Sequence, residues 1–170
     1  MIVERITGDL LEVQHPFIAQ QCNCLTTKAH GLSKSVAEKF PWANPYAFRS
    51  CVGNRNTTLR PSSPGTIEIY DSPDGQKHVV CMMAQWAPGK PLELASRYPE
   101  LPNGMRDTGE QRRLWFRRCL RTIDAHLYDD ENVVVAVPHM IGCGLAGGDW
   151  TAYEAMLEEA RTKFAIVSLP

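Results

Sequence analysis

The chain has 170 residues, 44% of them hydrophobic and 22% charged, with a formal net charge of -1. That length suits one domain with a real core, and that composition is ordinary for a globular protein and rules out disorder as the default. The charge excludes a global basic field for nucleic acid or a membrane surface.

No apolar run approaches the roughly 20 residues needed to span a bilayer. The start, Met1-Ile2-Val3-Glu4-Arg5, reads as neither a signal peptide nor a transit peptide. The expected location is intracellular, cytoplasmic or nuclear, and the expected state is a monomer. Ile2 to Thr7 predicts a short strand. Phe17 to Asn23 predicts a second, bounded by Pro16 and a polar loop. Six cysteines are too few and too irregular for a disulfide-stapled scaffold, and there is no C-x-x-C; Cys22 and Cys24 read as buried free thiols. Leu32, Val36, Ala37 and Phe40 recur at helical spacing until Pro41 stops the helix. Trp42 to Phe48 predicts a further helical turn or two, interrupted by Pro45.

Pro61 to Gly65 leads into a strand over Thr66 to Tyr70, and Asp74-Gly75 signals a hairpin into a strand over His78 to Met83. Residues 86 to 107, rich in proline and glycine, predict a long loop, a kind of segment that is commonly functional. Thr108-Gly109-Glu110-Gln111 has the form of a capping box. The helix that it opens carries Phe116, Leu120, Ile123 and Leu127 on one stripe, with Leu114 and Cys119 beside it. Arg112, Arg113, Arg117, Arg118 and Arg121 lie along the same helix and read chiefly as a solvated face, with RNA or another anion as the other reading. Asn132 to Val137 predicts a fully buried strand. A helix over Trp150, Tyr153, Met156 and Leu157 and a last strand over Phe164 to Leu169 complete the chain. The order ββα, ββ, αβ, α, β predicts an α/β fold: a mixed, roughly six-stranded sheet covered by helices on both faces.

The most informative stretch runs from Pro138 to Trp150. It places four glycines within the seven residues Gly142 to Gly148, after the most buried strand and before a helix. In an open α/β sheet that is where ligands collect. Glycine lets backbone N–H groups approach a ligand without a Cβ between them, and such amides beside a helix N-terminus suit a pyrophosphate. A turn that merely needs glycine would call for one. The spacing is neither G-x-G-x-x-G with a following acidic residue nor a P-loop.

A second polar loop follows the second strand. Asn23 at its start suits a ribose hydroxyl pair, or else caps the loop itself. His30 beside Gly31 could act as a general base near neutral pH. Gly8-Asp9-Leu10 follows the first strand, where an aspartate can cap a turn or accept from an adenine amino group.

These features, in this order and over essentially the whole chain, resemble the macrodomain family, which binds ADP-ribose and related compounds. Ile141-Gly142-Cys143-Gly144-Leu145 is most similar to the branch holding terminal ADP-ribose protein glycohydrolases, antitoxins that remove ADP-ribose from DNA, and the yeast-type ADP-ribose-1''-phosphate phosphatase. The resemblance implies one three-layer α/β/α domain over residues 1–170; no cluster of carboxylates or histidines suggests a metal site, and no cofactor is expected. It implies Asp9 at the adenine amino group and Leu10 as a nearby backbone contact. Asn23, His30, Gly31 and Leu32 would surround the distal ribose beside Gln21, while the amides of Gly142, Cys143, Gly144, Leu145, Ala146 and Gly147 would wrap the pyrophosphate.

The chain departs from the family at both ribose and catalytic positions. Many macrodomains have Asn-Ala-Ala-Asn where this chain has Gln20-Gln21-Cys22-Asn23, and three glycines where it has Ala29-His30-Gly31. The glycohydrolase lysine after the fourth strand aligns with Ala84, Gln85 or Trp86, and the aspartate after Gly-Cys-Gly-Leu aligns with Ala146. A lysine-adduct mechanism is therefore not expected. His30 and Asp149 are the candidate catalytic residues, the latter also a candidate helix cap. The implied function is ADP-ribose binding with hydrolysis of a group on the distal ribose, either a 1''-phosphate or a mono-ADP-ribosyl link. A non-catalytic ADP-ribose reader is the alternative.

Overall fold

The structure is a computed structural model that describes residues 1–51 and 53–170. Six strands form one sheet: β1 (Ile2–Thr7), β2 (Phe17–Asn23), β3 (Ile67–Asp71), β4 (His78–Gln85), β5 (Val134–Pro138) and β6 (Lys163–Ser168). Their spatial order is β1-β6-β5-β2-β4-β3. All neighbours run parallel except β3, which returns antiparallel to β4 through the Asp74-Gly75 hairpin. Three helices accompany the sheet: α1 (Leu32–Lys39), α2 (Gly109–Leu127) and α3 (Trp150–Glu159). Short 3-10 turns at Pro41–Ala43 and Pro45–Phe48 follow α1, each opened by its proline.

The strands form where β-branched and apolar residues run together. Val79 to Ala84 of β4 and Val135 to Val137 of β5 are fully buried, as strands covered on both faces must be. Successive side chains of β2 separate the helices. The Cys22 thiol lies 4.0 Å from the Ser33 hydroxyl of α1, whereas neighbouring Gln21 faces the segment that packs on Tyr153 of α3. Adjacent residues on a strand point to opposite faces, so α1 and α3 cover opposite sides. Helix α2 joins α3 through Phe116 and Tyr153, whose ring centroids are 4.5 Å apart.

Helix α2 buries Trp115, Phe116, Cys119, Leu120 and Ile123, and each large apolar side chain contributes about 1.5–3 kcal/mol. It also buries Arg112, which corrects the reading of the arginine run as one solvated face. Arg117, Arg118 and Arg121 are exposed, as that reading expects. Leu127 is only half-buried, and Leu114 is exposed.

The topology opens a crevice. Strands β2 and β5 pair only through Phe17↔Val135 and Ile18↔Ala136, so their carboxyl ends separate. The chain passes from β2 to β4 and β3 on one side, while β5, β6 and β1 lie on the other. Ligands of open α/β sheets sit in such a gap, beyond the carboxyl ends of the strands.

Candidate functional site

Three loops meet at this gap: residues 24–31 after β2, 86–107 after β4, and 139–149 after β5. The last is pinned at both ends. The His139 amide donates to Val167 O at 2.7 Å, and its ring meets Trp150 edge-on at 5.0 Å. Inside the loop the amides of Cys143, Gly147 and Gly148 donate to Met140, Gly144 and Gly142 carbonyls at 2.8, 3.0 and 3.0 Å. Among the described residues, the amides of Gly142, Gly144, Leu145 and Ala146 have no acceptor. The loop thus holds a run of three consecutive unpaired donors, just ahead of the N-terminus of α3. Cys143 and Gly147, expected to offer amides to a ligand, use theirs to close the loop instead.

The glycines have different reasons to be there. Gly142 has φ 71° and sits where a Cβ would collide with Gln21 Oε1 and lie 2.7 Å from Tyr153 Cε1. A Cβ at Gly148 would lie 2.6 Å from Gly142 O. Gly144, by contrast, faces open space. Close packing of chain against chain explains the first two, and nothing within the protein explains the third.

Side chains join the loops. Leu145, 74% exposed, reaches over Gly31, whose Cβ would lie 3.0 Å from its Cδ1. Gln21 donates to Gln85 Oε1 at 2.8 Å, and Gln85 donates to Ala87 O at 3.0 Å. The Gln21 Oε1 atom, turned toward Gly142, is buried without a hydrogen-bond partner among the described residues. The stem of Lys90 covers Gly147, with Cγ 2.8 Å from where a Cβ would be. A lysine therefore reaches the glycine loop from the β4 side, five residues beyond the strand end. No spacing rule pointed to it.

One buried ion pair ties two of these loops to α2. Arg112 and Asp107 meet in a two-armed bond, Nε to Oδ1 at 2.7 Å and Nη2 to Oδ2 at 2.6 Å. Asp107 also accepts from the Ala87 amide at 3.0 Å. Beside them, a cavity of about 330 Å³ lies under the 86–107 loop, between Trp86, Tyr98, Leu101 and Met105. The indole N–H of Trp86 donates to Pro99 O at 2.7 Å and braces this loop.

Solved structures similar to this chain share its length at low identity. The macrodomain of Mycobacterium tuberculosis DarG matches at TM-score 0.64 and 18% identity, covering 100% of this chain and 98% of that one. The macrodomain of Thermus aquaticus DarG matches at 0.62 and 16%, covering 100% and 99%. The fold is that of a macrodomain. An Oceanobacillus iheyensis macrodomain mutant solved with ADPR matches at 0.55 and 14%, covering 97% and 83%. No family profile and no curated protein matches the chain.

Within the macrodomain fold, the structure brings Gln21, Gly31, Gly142 and Leu145 together and defines what the other expected residues do. Asn23 is buried, and its side chain serves its own loop. Its Oδ1 accepts from the Leu25 and Thr26 amides at 3.0 and 2.8 Å, and its Nδ2 donates to Thr26 Oγ1 at 2.9 Å. Asp9 is exposed, and one oxygen accepts from the Leu11 amide at 2.9 Å. It follows β1, two strands from β5 and so about 10 Å along the sheet edge. Leu10 is buried. His30 is exposed at the mouth of the 24–31 loop, and Leu32 opens α1 on an exposed face. Asp149 is the N-cap of α3, with Oδ1 accepting from the Thr151 amide at 3.1 Å. Cys143 is buried, and burial pushes its thiol up to about 11. A thiol held protonated is a poor nucleophile. Ala146 is buried, and its carbonyl accepts from Arg112 Nη1 at 3.2 Å. Among the described residues, no group of three or more His, Cys, Asp or Glu is placed to hold a metal ion.

Proposed function

We propose that the chain, read as one domain over residues 1–170, binds ADP-ribose across the gap between β2 and β5. The pyrophosphate would rest on the amides of Gly142, Gly144, Leu145 and Ala146. The distal ribose would lie toward Gln21, His30 and Gly31, and the adenine toward Asp9. The observation that carries this reading is the run of three consecutive unpaired amides at Gly144 to Ala146, ahead of α3. Such a nest favours an anion through aligned N–H dipoles and the helix terminus together. The open space at Gly144 and the ADPR in the Oceanobacillus structure support the same ligand. Asn23 would act by shaping its loop.

Titration calorimetry with ADP-ribose tests the reading. The expected result is one site per chain and, at a ligand concentration 100 times Kd, a gain in stability of about 2.7 kcal/mol. No heat and no thermal shift at millimolar ligand would sink it.

Hydrolysis of a distal-ribose substituent is a second reading, favoured by His30, an exposed imidazole beside Gly31. An activated water would be the nucleophile, and the loop amides would stabilise developing negative charge. Asp149, already a helix cap, is the weaker candidate for the base. Release of phosphate from ADP-ribose-1''-phosphate, or of ADP-ribose from a mono-ADP-ribosylated protein, would support turnover if His30→Ala abolished it. Binding without release of either product would leave a reader.

A further inference from the structure

Arg112 is not among the groups proposed to meet the ligand, yet all five of its N–H donors converge on one junction. Besides the two bonds to Asp107, Nη1 donates to Gly89 O at 2.7 Å and to Ala146 O at 3.2 Å, and Nη2 donates to Ala87 O at 3.1 Å. The residue is 2% exposed, so water does not compete for these bonds. A guanidinium is planar and its donors point in fixed directions. Once Asp107 holds one edge, the aim of the others is set.

The effect falls on the turn from Gly144 to Gly147. In a trans peptide the C=O and the following N–H point in opposite directions. With the Ala146 carbonyl held by Arg112, the Gly147 N–H points away and donates to Gly144 O at 3.0 Å. That bond closes the turn and leaves the amides of Gly144, Leu145 and Ala146 unpaired. The same guanidinium grips Ala87 and Gly89 on the exit of β4, so the glycine loop and the 86–107 loop are fixed to one anchor.

We propose that Arg112, locked by Asp107, is a positioning residue that sets the anion-binding geometry of the glycine loop. The proposal rests on the ADP-ribose reading for its ligand but not for its effect on the loop. A lysine keeps a charge against Asp107 but offers three donors from a single nitrogen, which cannot span Asp107, Gly89 O and Ala146 O together. A D107N/R112M pair removes both charges and leaves no buried ion unpaired.

The test compares wild type, Arg112→Lys and D107N/R112M by calorimetry with ADP-ribose, thermal unfolding and amide hydrogen exchange. Both variants are expected to fold cooperatively and to bind ADP-ribose at least tenfold more weakly. Exchange at the Gly147 amide is expected to speed up at least tenfold. Binding within twofold of wild type in either variant overturns the proposal, as does an unchanged Gly147 exchange rate. Loss of folding in both variants overturns it as well, because the pair would then hold the fold rather than the loop. If wild type binds no ADP-ribose, the ligand reading fails, and the exchange comparison still decides whether Arg112 positions the loop.

Discussion

Gly142 and Gly144 sit two residues apart and are glycine for unrelated reasons, which makes them a matched pair of probes. A methyl at Gly142 must displace both Gln21 and Tyr153 and adopt φ 71°, a left-handed backbone unfavourable to alanine. Overpacking and backbone strain of this kind each cost about 1–3 kcal/mol. Gly142→Ala should therefore lower the melting temperature, by about 2–4 °C for each kcal/mol in a chain of this size. Gly144→Ala meets no protein atom within 4 Å and should leave stability within about 0.5 kcal/mol of wild type. A larger side chain in the same open space should still obstruct the amides on either side of it. Gly144→Val is thus expected to melt near wild type and to bind ADP-ribose at least tenfold more weakly, read by calorimetry. Unchanged affinity would mean that the pyrophosphate lies elsewhere.

Helix α3 carries its own boundaries and its buried face in its sequence. The spacing of Tyr153, Met156 and Leu157 marks its buried face, and Asp149 precedes it as an N-cap. Removing that cap by Asp149→Ala should cost about 1 kcal/mol. Asp149→Ser restores a cap but no carboxylate. If Asp149 only caps, the serine variant will recover the melting temperature and match wild type in ligand assays; a loss of turnover in the serine variant with its melting temperature recovered would make Asp149 the base. The strands were legible for the same kind of reason. Strands β1 and β2 span the expected residues, the second bounded by Pro16 and by the polar loop that follows it. Strands β3 and β6 each shift by one residue, β4 runs two residues further, to Gln85, and β5 begins at Val134 rather than Asn132, which is exposed; hydrogen bonding rather than composition sets these ends. Of the capping box only the Thr108 arm forms: its hydroxyl accepts from the Gln111 amide at 3.1 Å, while the Thr108 amide donates to Arg106 O at 2.9 Å. Buried Arg112 departs from the solvated-face expectation because a helical stripe sorts side chains by polarity and so sends every arginine to solvent. One local clue existed: a cation near a helix N-terminus opposes the macrodipole and calls for a nearby anion, here Asp107. The Lys90 contact with Gly147 had no such clue, since it depends on how a 22-residue loop folds back over a distant one.

At the scale of the whole molecule, the stability curve against pH should fall on the alkaline side. Burial raises the thiols of Cys143 and Cys119 from an ordinary value near 9 to about 11 and about 12, and raises the Tyr153 phenol from near 10 to about 12. Cys24 is pushed up in the same direction by desolvation. Each group loses a proton more readily in the unfolded chain than in the folded one. Above pH 9 the unfolded state therefore binds fewer protons at these four groups, so their contribution to the unfolding free energy declines as pH rises. The stabilisation is complete below pH 9 and is lost progressively as pH passes through the folded values near 11 and 12. Urea unfolding at pH 7, 9, 10 and 11 should give a falling midpoint with an unchanged slope m, because the surface exposed on unfolding stays the same. The Cys143→Ala variant should flatten the early part of that decline, since its thiol has the lowest of these raised values. It should leave the later part, governed by Cys119 and Tyr153, in place. A midpoint independent of pH up to 11 would mean that these groups are not protected from ionisation in the folded chain.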